Sequence, residues 1–268
     1  MNVTFHNRIR LVCLDFDGTC VDYEGESAFL NPDVLRFLNL AEQSGIRWCT
    51  NSGRTLEAQL EILAASCDRG LSAMPEALMC GESFLYLREN GGYVSHGPWN
   101  ERAVETLAAF HREVRLRYTP DLHEIAMRYD AEKMLFDDSV TAYLIPSADQ
   151  DLLNACLAEL HAVVKDLPHA FATRNGGWVF VGHREFGKGR VLDAYLRERG
   201  YAPAEAVAVG DNLNDLDMLD GSICEHVGCP GNSLPEVIAV VQRAGGRVSQ
   251  ESGPAGTLEV LHHYLTNT

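Results

Sequence analysis

The sequence predicts an α/β protein, a doubly wound parallel sheet carrying a separate inserted α+β unit. Three observations carry this reading. Strand-like and helix-like segments alternate near both ends of the chain. The apolar runs there are short and continuous, and they stop at acidic or glycine-rich turns. Between Ser83 and His183 the rhythm changes to a mixture of strands and two long helical stretches.

In chain order, Ile9 to Leu14 is an apolar run ending at Asp15, as expected of a central parallel strand buried on both faces. Asn31-Pro32-Asp33 opens a helix: Asn31 can cap it, Pro32 suits the first helical position, and Asp33 favours the positive end of the helix dipole. Val34, Leu35, Leu38 and Ala41 follow at helical spacing, and Gly45 is a natural stop. Ile46 to Thr50 reads as a second strand and Thr55 to Ala65 as a second helix, so the crossovers are right-handed. In the central stretch, Phe84 to Leu87, Thr141 to Ile145 and Trp178 to Val181 read as strands. Trp99 to Arg117 and Ala148 to Leu167 read as helices. The first rhythm resumes with a helix at Val191 to Arg199 closed by Gly200, then a buried strand at Ala206 to Val209. Helical segments follow at Leu213 to Leu219 and Thr257 to Leu265. The expected domains are 1–82 with 184–268 for the sheet, and 83–183 for the insert.

Composition narrows the function. No run approaches the roughly 20 apolar residues of a membrane span, and Met1 to His6 lacks a basic segment followed by an apolar run. The net charge of −16 disfavours nucleic acid and anionic membranes as partners. Eight cysteines are scattered among apolar neighbours without a C-x-x-C pair, and Cys224 and Cys229 make no standard metal knuckle. They read as small buried hydrophobes in a reduced compartment, hence a cytoplasmic protein.

Four segments at strand ends or helix starts carry chemistry, on the sheet edge where open parallel sheets bind ligands. In Leu14-Asp15-Phe16-Asp17-Gly18-Thr19, two carboxylates can face one crevice if the chain bends at Gly18. One would attack phosphorus and the other handle the leaving-group proton; alternatively Asp-Gly simply closes a strand. Gly210-Asp211-Asn212-Leu213-Asn214-Asp215 offers hard oxygen ligands of the kind Mg²⁺ prefers. Helix capping would use one such residue, not four. Thr50-Asn51-Ser52-Gly53-Arg54 supplies a hydroxyl and backbone amides that can cradle a phosphate, although Ser-Gly turns are common. Lys188, between Gly187 and Gly189, can approach a ligand closely or be an ordinary loop lysine; the P-loop spacing is absent.

In combination, Asp15-x-Asp17-Gly18-Thr19, Ser52-Gly53-Arg54, Lys188-Gly189 and Gly210-Asp211-x-x-x-Asp215 resemble the haloacid dehalogenase-like hydrolase superfamily. The order is most similar to its Cof-type and sucrose-phosphate-phosphatase-like branch, whose cap lies between the second and third motifs. The resemblance spans nearly the whole chain and implies a Rossmann-like catalytic core with an inserted α+β cap that closes over the site. It further implies that Asp15 is the nucleophile and a Mg²⁺ ligand. Asp17 would be the general acid/base, with its backbone carbonyl on the metal. Ser52, or less favourably Thr50, would hold the phosphoryl group, Lys188 would neutralise charge, and Asp211 and Asp215 would complete the Mg²⁺ site. Gly18, Thr19, Gly53, Arg54 and Asn214 join the phosphate-binding set.

Arg174 in the cap is a substrate-binding candidate, with Asn175, His96 and Arg128 as further polar positions. Cys80-Gly81-Glu82 departs from the Asn-Gly-Ala of many Cof-type relatives and is nearer the Gly-x-Glu of sugar-phosphate phosphatases. The expected activity is a Mg²⁺-dependent phosphatase acting on a small phosphorylated metabolite, a sugar phosphate by cap type, through an aspartyl-phosphate. A phosphomutase or phosphotransferase would use the same residues, and a silent metal-binding regulator is the rival from another class. A dinucleotide-binding dehydrogenase is disfavoured because no G-x-G-x-x-G follows the first strand.

Overall fold

Acidic and glycine-rich turns follow several of the core strands, and the fold gathers them on one edge of a large sheet. The structure is a computed structural model describing residues 4, 5 and 8–266. The chain divides into two compact units, one running through His96 and resuming at Lys188, the other Gly97–Gly187.

The first unit begins with β1 (Leu11–Leu14), buried at every position. A two-stranded hairpin follows, β2 (Val21–Glu24) with β3 (Ser27–Leu30). Helix α1 (Pro32–Gln43) starts where Asn31 accepts hydrogen bonds from the backbone of Asp33 and Val34, and Gly45 beyond its end takes a φ of 83°. Next come β4 (Arg47–Asn51), α2 (Leu56–Cys67), β5 (Ala77–Cys80), β6 (Phe84–Glu89) and β7 (Gly92–Ser95). After the second unit the same body adds α5 (Lys188–Arg199), β12 (Ala206–Val209), α6 (Leu216–Leu219), β13 (His226–Cys229), α7 (Pro235–Arg243), β14 (Arg247–Val248) and α8 (Gly253–Leu265).

The eight strands run in the order β14-β13-β12-β1-β4-β5-β6-β7. From β14 to β5 every pairing is parallel, and β6 and β7 are antiparallel additions at one edge. Side chains alternate across the sheet. Val12, Leu14, Val207 and Val209 join the core formed with α1, α2 and α8, so Leu11, Cys13, Ala206 and Ala208 face the other way. Chain direction along the sheet reverses between β1 and β12: β1 leads to β4 on one side, while β12 enters on the other. That reversal opens a crevice at the carboxyl ends of the strands. The doubly wound α/β prediction therefore holds.

The second unit contains α3 (Gly97–Arg128), β8 (Lys133–Phe136), β9 (Thr141–Leu144), α4 (Gln150–Val164), β10 (Ala170–Asn175) and β11 (Trp178–His183). Its antiparallel sheet has the order β10-β11-β9-β8, and its core joins Val114, Leu122 and Ile125 of α3 to Leu153 and Leu160 of α4 and to Tyr143 and Val179 of the sheet.

Two details differ from the sequence expectations. Phe84 to Leu87 pairs with β5 and extends the main sheet, because a tight hairpin returns the chain antiparallel beside the strand it has just left. The units accordingly divide at 96/97 and 187/188, against the expected insert of 83–183. Helix α3 also runs past Arg117 and through Pro120. Leu122 and Ile125, beyond the proline, are buried in the core, and their burial outweighs the backbone hydrogen bond that proline cannot make. All eight cysteines are free, seven of them buried and Cys67 exposed. Among the described residues no helix is long and apolar enough to cross a membrane.

Candidate active site

Asp15 directly follows β1, where its backbone N–H continues the parallel pairing by donating to Val209 O at 3.0 Å. The side chain is 1% exposed. Across the crevice, Asp211 lies just after β12, and Asp215 closes a single 3₁₀ turn ahead of α6. Asp215 accepts hydrogen bonds from the backbone N–H groups of Asp211 and Asn212, each at 2.9 Å, so the loop's own backbone aims this carboxylate. Lys188, the first residue of α5 and fully buried, donates its ammonium to Asp15 Oδ1 at 2.7 Å and Asp215 Oδ1 at 2.6 Å.

One carboxylate oxygen each from Asp15, Asp211 and Asp215 lie within 4.8 Å of one another. Three acidic groups face a single buried ammonium. The second oxygen of Asp15 is buried without a hydrogen-bond partner. An orphaned buried carboxylate oxygen is costly unless something binds it. Burial first, then repulsion from Asp215 and Asp211, raises Asp15 well above the ordinary carboxylate range despite Lys188. Burial and Asp215 push Asp211 up to about 7. Burial opposes the charge on Lys188, but Asp15 and Asp215 outweigh it and keep the ammonium protonated. A hard divalent cation with oxygen ligands fits this cluster on both counts, supplying the missing positive charge and a partner for Asp15 Oδ2.

The backbone packs tightly around these groups. Gly18 has a φ of 75°, and a Cβ there would lie 2.4 Å from Asp211 Oδ2. A Cβ at Gly189 would lie 2.5 Å from the Asp217 carbonyl oxygen, so this glycine lets α5 approach the Asp217 backbone. Thr19 donates its hydroxyl to Asp211 Oδ1 at 2.8 Å, which makes it a holder of that carboxylate; its own side chain is fully buried.

Asp17 is placed differently. Arg54 grips both its oxygens, at 2.8 and 2.7 Å, and Tyr23 from β2 donates its hydroxyl to Oδ1. Although burial pulls the other way, these bonds hold the Asp17 carboxyl below its usual range. Its side chain is not in the three-carboxylate cluster, which is compatible with a role through its backbone carbonyl. Ser52, 1% exposed, follows β4, with its Oγ accepting from the Arg54 backbone N–H at 3.3 Å across Gly53. The Thr50 hydroxyl is committed to Gln59 at 2.5 Å, which leaves Ser52 the better placed of the two. Asn214 donates Nδ2 to Glu82 at 2.6 Å, and its Oδ1 is buried without a partner. Burial raises Glu82 to about 7.

Arg174 lies in the second unit at 1% exposure, with its guanidinium bonded to Asn154, Gln150 and the Gly176 carbonyl. In this conformation it braces α4 against β10 and offers almost no surface to a ligand. Arg128 pairs with Glu159, and His96 lies 3.7 Å from Glu198 in the first unit.

Sequence reasoning gave no individual role to three supporting groups. Asn51 donates to the Lys188 carbonyl at 2.8 Å, Tyr23 steadies Asp17, and Glu82 holds Asn214. A buried polar residue ending an apolar strand was a usable signal for Asn51. Tyr23 had none, because only the hairpin brings it back to Asp17.

Compared by sequence with curated proteins, the chain matches none. In structure it is similar to the sucrose-phosphatase of Synechocystis sp. PCC6803, solved with sucrose and phosphate. The TM-score is 0.66 at 17% identity over 97% of this chain and 98% of that one. It is similar to the phosphatase BT1666 of Bacteroides thetaiotaomicron, with TM-score 0.62 and 20% identity over 96% of both chains. It also resembles the subclass IIB sugar phosphatase BT4131, with TM-score 0.61 and 16% identity over 95% of this chain and 98% of that one. At such identities these likenesses establish the fold. A family model for haloacid dehalogenase-like hydrolases matches residues 76–244, well over half of the chain. The match includes Lys188 and Asp211 to Asp215, with Asp15 and Ser52 lying before it. The chain belongs to the haloacid dehalogenase-like hydrolase family.

Proposed function

We propose that the protein is a Mg²⁺-dependent phosphatase that hydrolyses a small phosphorylated metabolite, a sugar phosphate, through a phosphoryl group carried on Asp15. The observation that carries this reading is the state of Asp15: one carboxylate oxygen is fixed by Lys188 and the other is buried, unbonded and grouped with Asp211 and Asp215. The two sugar-linked neighbours, a sucrose-phosphatase and a sugar phosphatase, favour the substrate class.

Asp15, Asp211 and Asp215 would hold the cation, together with the Asp17 carbonyl. When bound it would polarise the phosphoryl oxygens and screen the approach of an anionic substrate to an anionic nucleophile. In the first step Asp15 attacks phosphorus as the bond to the leaving oxygen breaks, and Asp17 gives that oxygen a proton. In the second step Asp17 takes a proton from water, and that water attacks the phosphorus of the acyl phosphate. Phosphate leaves and the Asp15 carboxylate is restored. Lys188 stays protonated throughout, fixing Asp15 and offsetting charge where it develops. Ser52 and the amides that follow it would hold phosphoryl oxygens. In the free protein Arg54 keeps Asp17 ionised; a phosphoryl group competing for that guanidinium loosens the pair, and Asp17 can then take up the proton it delivers.

The test is phosphate release from a panel of hexose phosphates, nucleotides and a phosphopeptide, with Mg²⁺ and after metal stripping. Release confined to small sugar phosphates in the presence of Mg²⁺ supports the reading. Metal-independent release overturns the cofactor assignment, and turnover of the phosphopeptide alone overturns the substrate class. Conversion of a sugar phosphate to its isomer without free phosphate makes the protein a mutase.

A further inference from the structure

A second polar cavity lies at the opposite edge of the main sheet, where the strands begin. Its volume is about 420 Å³, within the usual range for small-molecule sites. It is lined by four arginines, Arg10, Arg47, Arg88 and Arg199, beside two acids, Glu42 and Glu76. Arg10 precedes β1 and Asp15 follows it, so at ~3.3 Å per strand residue the two sites are roughly 16 Å apart along this strand. The same helix, α5, begins at Lys188 and ends at Arg199.

The acids in the cavity are already engaged. Glu76 Oε2 accepts from the hydroxyls of Tyr195 and Tyr201, at 3.0 and 2.9 Å, and Oε1 lies 3.5 Å from Arg47 Nε. Glu42 pairs with Arg47 at 3.0 Å, and Arg10 is held by Glu205 at 3.1 Å. Arg88 and Arg199 remain. Arg88 makes one long bond, 3.4 Å, to the Met74 carbonyl, and Arg199 has no ion pair or side-chain hydrogen bond among the described residues. Both side chains are exposed. Two guanidinium groups without carboxylate partners line this cavity, and its four arginines face three carboxylates, Glu42, Glu76 and Glu205, which leaves an excess of one positive charge in a chain of net charge −16. Guanidinium forks match carboxylate and phosphate oxygens bidentately, and several acting on one ligand can bind where a single exposed pair contributes little. The overall negative charge works against a nucleic acid as occupant, and a cavity of this size suits a metabolite.

We propose that this cavity is a binding site for a small polyanion carrying two or three carboxylate or phosphate groups, held chiefly by Arg88 and Arg199 and separate from the catalytic crevice.

The test is isothermal titration of metal-stripped full-length protein with citrate and, separately, with inorganic pyrophosphate. The four proteins are wild type, Arg88→Gln/Arg199→Gln, Arg199→Gln and Asp15→Asn. The expected result is one saturable site per chain for at least one probe. Its Kd rises at least tenfold in the double variant, rises by a smaller factor in Arg199→Gln, and is unchanged in Asp15→Asn. Which probe binds more tightly distinguishes a carboxylate from a phosphate occupant. Urea midpoints equal to wild type show that the arginine variants are folded, and the exposed single variant keeps the test decisive if the double one is not. Absence of saturable binding for both probes, an unchanged Kd in the arginine variants, or loss of binding in Asp15→Asn overturns the proposal.

Discussion

Replacing Lys188 with methionine removes the ammonium between Asp15 and Asp215 while nearly keeping the side-chain volume. The lysine makes two short charge-assisted hydrogen bonds in a fully buried setting. Each such bond is worth about 1.5–3 kcal/mol, and deleting one partner of a buried ion pair costs about 3–5 kcal/mol. Because burial already favours the neutral acid at Asp15, protonation there relieves part of the loss. The expected cost is therefore near the lower end, about 3 kcal/mol. For a body of this size that corresponds to a fall in Tm of about 6–12 °C. The assay is a thermal melt of metal-stripped protein followed by circular dichroism, beside Asp15→Asn. The asparagine variant reduces the excess negative charge and should melt at or above the wild-type temperature. A Lys188→Met variant within about 1 °C of wild type, or an Asp15→Asn variant that is the less stable of the two, would refute the electrostatic account.

Gly18→Ala forces a side chain onto a φ of 75° and against Asp211. It should lower activity at least tenfold through displacement of that carboxylate, with a backbone cost of about 1 kcal/mol seen in urea denaturation. His111, buried on α3 beside Thr141, is lowered to about 4 from 6.5, by burial first and by Arg115 second. Its folded-state pKa lies below the unfolded one, so the unfolded chain binds more protons between these values. The contribution is therefore whole above pH 6.5 and is lost as pH falls towards 4. Linkage gives a loss of about 2 kcal/mol between pH 7 and pH 5, which His111→Gln should remove from the urea-midpoint profile. Thr19→Val deletes the hydroxyl that steadies Asp211 and should weaken Mg²⁺ binding by about tenfold at unchanged fold, measured by titration.

Legibility in the sequence followed how local the determinants were. β1 and β12 could be read because a strand buried on both faces is a continuous apolar run, and each is followed by its carboxylates. Asn31-Pro32 fixed the start of α1 by local capping alone. Phe84 to Leu87, expected in the insert, belongs to the main sheet: nothing in the segment itself says which sheet it joins, and its pairing with β5 decides that. The helix expected to end at Arg117 continues through Pro120, because Leu122 and Ile125 beyond it are buried in the core of the second unit. In the site, Asp15, Lys188, Asp211 and Asp215 were legible as motifs. Their long-range partners were less so: the Tyr23–Arg54–Asp17 group depends on a hairpin, and the Glu82–Asn214 bond joins residues far apart in the chain. Arg174 looked like a loop residue available to substrate, but burial on the face of α4 uses its guanidinium within the second unit.

The central claim is that phosphoryl transfer passes through Asp15. The most direct measurement is rapid acid quench during turnover of a sugar phosphate with Mg²⁺, followed by mass spectrometry of the peptides. A phosphoryl adduct on Asp15 that decays as phosphate appears, and that is missing along with activity in Asp15→Asn, is the predicted result. Undiminished phosphate release by Asp15→Asn, or an adduct on another residue, would contradict it.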